Sequence, residues 1–140
     1  MKLLRIVVIP LLLVAFAVSG CDMLSDKSDA EAAVNDFHQK LDGGDFEAIY
    51  NNADAGLKSA SSEKDFLALL AAVHKKLGNV QNSSETNFSM NSVNLSTQIV
   101  LVYNTKFGGG DATETFTWHV SGGKPLLLGY NINSLAMMEK

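Results

Sequence analysis

The side chains that carry most enzyme chemistry are few in this 140-residue sequence and widely spaced. Its three histidines, His38, His74 and His119, follow one another at intervals of 36 and 45 residues. A metal site needs three or four ligands, part of them commonly supplied by spacings such as H-x-x-x-H or C-x-x-C, and neither occurs. No metal and no cofactor is therefore expected. No G-x-S-x-G stretch offers a nucleophilic serine. Gly108-Gly109-Gly110 lacks the following helix and lysine-threonine pair of a phosphate cradle, so it reads as a turn, with Asp111 as a turn residue. The sole cysteine, Cys21, cannot form an intramolecular disulfide and lies in a polar stretch, poorly placed for a core. Trp118 and Tyr130 are the sharper pair. A large aromatic flanked by polar residues either fills the core or lines an apolar ligand pocket, with the tyrosine hydroxyl fixing orientation.

The reason for Cys21 lies in what precedes it. Met1 to Arg5 carries two positive charges, Ile6 to Val18 is apolar apart from Pro10, and Val18-Ser19-Gly20 brings small residues up to the cysteine. That is the layout of a secretory signal, and the run is short for a spanning helix of about 20 apolar residues. Val18-Ser19-Gly20-Cys21 resembles a bacterial lipobox. The resemblance implies cleavage before Cys21, a diacylglyceryl group on its thiol, and a protein anchored in the envelope and facing the periplasm. Asp22 resembles the residue that retains enterobacterial lipoproteins in the inner membrane, which favours the inner membrane over the outer. With residues 1–20 set aside, the apolar share falls from 46 % to about 42 %, ordinary for a globular domain, and the net charge deepens from -4 to -6. Arg5, the only arginine, leaves with them, so nucleic acid is excluded as a partner and attraction to anionic head groups is weak.

The elements that must position the histidines and aromatics are legible in the hydrophobic period. Residues 22–28 show none and read as a tether. Ser28 and Glu31 form a capping pair for a first helix, whose apolar stripe is Ala30, Ala33, Val34, Phe37 and Leu41, ended by Gly43-Gly44. Asp45 is placed to cap a short second helix with Phe46, Ile49 and Tyr50. A loop rich in Asn, Ala and Gly follows. Ser62 and Asp65 cap another helix with Phe66, Leu69, Leu70, Val73 and Leu77, stopped by Gly78. His38 and His74 sit at the edges of these stripes. After Gly78 the period drops to two: Phe88 and Met90; the run Ile99 to Tyr103; Phe116, Trp118 and Val120; then Leu126, Leu128, Tyr130 and Ile132. Glycine turns at 108–111 and 121–124 make hairpins of these runs. His119 alternates out of the Trp118 face. Helices followed by a meander predict an α+β fold, N-terminal helices packed on a curved antiparallel sheet of about four strands. The chain divides into a signal peptide at 1–20, a lipidated cysteine and tether at 21–28, one domain at 29–135 and a tail at 136–140.

Leu41-Asp42-Gly43-Gly44-Asp45-Phe46-Glu47-Ala48-Ile49-Tyr50 resembles the helix-break-helix passage of small domains related to nuclear transport factor two. Gly122-Gly123-Lys124-Pro125-Leu126-Leu127-Leu128-Gly129-Tyr130 resembles their last hairpin, and Ala30 to Ser134 is similar to uncharacterised bacterial domains of that superfamily that follow lipoprotein signals. The resemblance implies a cone with a pocket between helices and sheet, and no particular activity. Enzymes of the superfamily place an acid, a base or a proton donor inside the cone. The candidates so implied are His38, His74, His119, Tyr103, Tyr130 and Asp111, with Trp118, Tyr130, Tyr103 and His119 as pocket lining. The expectation is a lipid-anchored accessory protein that binds an envelope protein or a small apolar ligand. The alternatives are a small isomerase or hydrolase, and a structural or inhibitory protein docking on an envelope enzyme.

Overall fold

Ala30, Val34, Phe37 and Leu41 lie buried along one side of a helix, α1, spanning Gly20–Asp42 in a computed structural model that describes residues 20–139. The expected signal peptide lies outside the described residues except for Gly20, and the side chains of Cys21 and Asp22 lie outside them too. The expected tether is not slack: residues 22–28 continue α1, and Ser28 sits inside the helix instead of capping it. Adding a turn to a helix already nucleated on a packed face is cheap. Lys27 fastens this one by bonding Glu31 within the helix and Glu85 on the sheet at 3.1 Å, with its ammonium 4.7 Å from the Phe88 ring centre.

Gly44, at φ 74°, turns the chain into α2, Phe46–Asn51, which buries Ile49. Asp45 occupies the capping position there but its side chain makes no capping bond. The stretch expected as a loop contains a further helix, α3, Ala55–Ala60, held by the Asp54 carboxylate accepting from Gly56 N and by burial of Leu57. In α4, Glu63–Leu77, Ser62 caps as its sequence predicts, accepting from Asp65 N at 3.2 Å, and Gly78 (φ 71°) ends the helix. Phe66, Leu70, Val73 and Leu77 are its buried stripe.

Four strands follow among the described residues: β1 (Val80–Val93), β2 (Ser96–Phe107), β3 (Gly110–Ser121) and β4 (Lys124–Asn133). They pair in sequence order as a curved, unclosed antiparallel meander, so the fold is α+β. Ile99, Leu101, Tyr103, Thr105 and Phe107 of β2 and Ala112, Glu114, Phe116, Trp118 and Val120 of β3 face the helices. On β4 the alternation slips. A bulge opposite Thr117 and Trp118 inserts one residue, so Leu127 pairs inward with Trp118, and Tyr130 pairs with Phe116. Leu126 and Leu128, expected on the Tyr130 face, are half-buried on the other side of that slip. Asp54 N donates to Leu127 O at 2.9 Å, laying the α2–α3 connection along the edge of β4. A last helix, α5, Leu135–Met138, occupies most of the expected tail.

Candidate functional site

The inner face of the sheet carries a charge where its pattern calls for an apolar residue. Glu114 sits in the inward phase of β3 between Ala112 and Phe116 and has no solvent exposure. Such a carboxylate is tolerable only when its oxygens are filled. Thr105 Oγ1 donates to Oε2 at 2.5 Å, His38 Nε2 lies 2.7 Å from the same oxygen, and the Tyr130 hydroxyl donates to Oε1 at 2.7 Å. As a carboxylate Glu114 only accepts, so Nε2 of His38 carries the proton. Ser83 and Thr105 share a further hydroxyl bond at 3.0 Å. Burial, reinforced by the Glu114 charge, pushes the Tyr130 phenol well above its ordinary value and keeps it a donor. Around the cluster Phe37, Phe116 and Tyr130 pack with ring centres 4.7 to 5.2 Å apart. The arrangement is closed, and its chemistry is that of a satisfied interior network.

A cleft of about 300 Å³ opens where α1 and α2 meet the β3–β4 hairpin. Ala33, Phe37, Ile49, Trp118 and Leu127 give it an apolar floor; Asp36, Lys40, Asn52 and Lys124 stand around it. Lys40 is bonded to Asp36. Lys124 takes no part in the ion pairs among the described residues. Trp118 stacks on Phe116 at 6.1 Å, and its indole N–H is buried with no partner among the described residues.

Of the residues expected to line a pocket, Trp118 lines this cleft. Tyr130 is held on Glu114. Tyr103 is buried between the sheet and α1, where burial, with Glu85 and Glu31 adding, pushes its phenol up to about 12. His119 lies on the opposite face of β3 from Trp118 and meets the cap of α3 there. Its Nε2 lies 2.7 Å from Ser96 Oγ and its Nδ1 2.8 Å from Asp54 Oδ2, while Asp54 Oδ1 accepts from Gly56 N at 2.7 Å. His74 packs against the Phe46 ring with its Nδ1 buried and unpartnered among the described residues. Asp111 is exposed at the start of β3, and its carbonyl accepts from Ser134 Oγ at 2.7 Å. The structure thus distributes the six candidates over several places; it joins His38 and Tyr130, through Glu114. Among the described residues no group of three or more His, Cys, Asp or Glu is placed to hold a metal ion.

Glu114, Asp54 and Ser96 are not among the residues expected from the sequence motifs. The signal for Glu114 is an acidic residue in the inward phase of an alternating strand, which needs buried partners. Asp54-Ala55-Gly56 is a capping sequence. Nothing local marks Ser96. A family model described as "Protein of unknown function (DUF4019)" matches residues 33–130. No curated protein matches the chain.

Proposed function

Because the chain belongs to the DUF4019 family, whose description carries no activity, we propose its function from the cleft: a lipid-anchored protein of the bacterial cell envelope that holds a small amphiphile, with the apolar part on Trp118 and an anionic head at Lys124. The observation that carries this reading is the cleft itself, an apolar floor at the small end of ligand-pocket volumes with, at its mouth, a lysine that has no ion-pair partner among the described residues. The sealed Glu114 cluster argues for binding over reaction inside the cone. The anchor is supported by the basic start, the apolar run and Val18-Ser19-Gly20-Cys21; Asp22 favours the inner membrane. No helix among the described residues is long and apolar enough to cross a membrane. Helices laid on a curved sheet, with the Leu41–Tyr50 passage and the Gly122–Tyr130 hairpin, support a place in the nuclear transport factor two-like superfamily.

Trp118 is the sole tryptophan, so its emission reports the cleft directly. With the full chain in lipid nanodiscs, octanoate should shift that emission saturably and octylamine should not. Reversing the charge at the mouth, Lys124→Glu, should weaken the octanoate response at least about tenfold, equivalent to roughly 1.4 kcal/mol. An octanoate response that never saturates, or that Lys124→Glu leaves unchanged, removes the cleft as the binding site. Palmitate labelling tests the anchor separately: Cys21→Ser should abolish it and leave uncleaved precursor.

A further inference from the structure

His119 belongs neither to the cleft nor to the Glu114 cluster, yet both its ring nitrogens are engaged, and by groups in a definite order: a serine hydroxyl on Nε2 and a carboxylate on Nδ1. A carboxylate can only accept, so Nδ1 carries the proton and Nε2 is left as a base facing Ser96 Oγ. We propose that Ser96, His119 and Asp54 form a nucleophilic acyl-transfer site on the outer face of the sheet, acting on small uncharged esters with a short apolar acyl group. This goes beyond the binding role of the cleft.

Each partner is held by the fold. Asp54 is fixed twice, by its own N–H on Leu127 O and by Gly56 N on its second oxygen, so the carboxylate that orients the imidazole is built into the α3 cap. The bond from His119 first, and then that from Gly56 N, hold its carboxyl below the usual carboxylate range. His119 is set by the β3 register. Ser96 is the first residue of β2, directly after a two-residue turn. The histidine side chain is 33 % exposed and the aspartate 14 %, which leaves the base reachable and its orienting partner shielded.

The turn beside Ser96 adds an independent observation. Asn94 and Leu95 both have left-handed backbones, at φ 50° and 65°. Asparagine tolerates that conformation; a leucine there is strained, and this one is fully exposed, so burial does not compensate. Leu95 and the exposed Val93 give apolar surface next to the hydroxyl, suited to a short acyl chain. Gln98 lies two residues along β2 from Ser96, roughly 7 Å away, and directly opposite His119, so its amide is the donor available to a developing oxyanion.

In the reaction, Ser96 Oγ bonds to the ester carbonyl carbon while its proton passes to His119 Nε2. The bond from that carbon to the alcohol oxygen breaks, and Nε2 returns the proton to the leaving alkoxide. Water then attacks the acyl-serine, its proton passing through Nε2 to Ser96 as the carboxylic acid departs. Asp54 is a positioning residue throughout.

The test uses the full-length chain in detergent with a fluorophosphonate probe, read by intact mass and peptide mapping. One adduct is expected, on Ser96, and none in Ser96→Ala. His119→Asn should slow labelling about 100-fold or more, the scale of lost general-base assistance. Asp54→Asn can still cap α3 and should slow labelling while abolishing the deshielded Nδ1 proton of His119 seen downfield of the amides by proton NMR. No adduct on Ser96 in the folded parent protein, adducts spread equally over other serines, or equal labelling rates in parent and His119→Asn would each overturn the proposal.

Discussion

Three donors converge on the Glu114 carboxylate, and that convergence makes its removal costly in a way its size does not suggest. Glu114→Ala would leave His38, Thr105 and the Tyr130 hydroxyl facing a void, and at roughly 1–3 kcal/mol for each buried donor left unsatisfied the three together cost about 3 kcal/mol or more. Urea unfolding should show a loss of that order, against a smaller one of about 1.5–3 kcal/mol for Tyr130→Phe, which deletes a single bond to a charged acceptor. Asp54 makes a prediction of a different kind. Its carboxyl is held below the ordinary range in the folded chain, so it adds stability at pH values above its unfolded pKa of about 4. That contribution is lost as pH falls through the folded value. Urea midpoints taken between about pH 5 and about pH 3 should therefore drop further in the parent than in Asp54→Asn.

Among the elements, the hairpins carry the sharpest tests. A Cβ on Gly109 would lie 2.6 Å from the carbonyl oxygen of Lys76, because Gly108 N and Gly109 N already bond Asn79 O and Leu77 O at the end of α4. Gly109→Ala should lower stability by roughly 1–3 kcal/mol, as overpacking does. Leu95→Gly relieves a left-handed leucine worth about 1–2 kcal/mol, partly offset by backbone entropy, and should raise the thermal midpoint. Capping of α4 by Ser62, the buried stripes of α1 and α4 and the alternation of β3 were legible because each is a local pattern repeated several times. The phase of β4 was not, because one inserted residue at Leu128 reverses the faces and leaves no mark on composition. Nor was α3, which is too short at six residues to show a periodic stripe, is interrupted by Gly56, and stands on one cap and one buried leucine. The residues brought together at the sites, Glu114 with His38 and His119 with Asp54 and Ser96, are joined across 76, 65 and 23 positions of sequence, separations that local patterns do not encode.

For the molecule as a whole, the helix α1 changes what an anchor means. Its 23 residues span about 35 Å, and its packed stripe begins only at Ala30, so the residues before it project as a helical stem held at its base by Lys27. With the proposed lipid on Cys21, this stem joins membrane to domain without a slack segment. Replacing Leu24 and Ser25 by glycines (Leu24→Gly, Ser25→Gly) should leave octanoate binding unchanged while broadening the distribution of energy-transfer distances between Trp118 and dansyl-labelled lipid head groups. In a rigid stem, residue count sets a bearing more than a height. Deleting one residue between Cys21 and Ala30 would bring the domain only about 1.5 Å nearer the bilayer but swing it by about 100° around the helix axis. The stem is thereby a dial, and its length selects which side of the domain, the cleft mouth or the Ser96 hairpin, is turned toward neighbours on the same membrane.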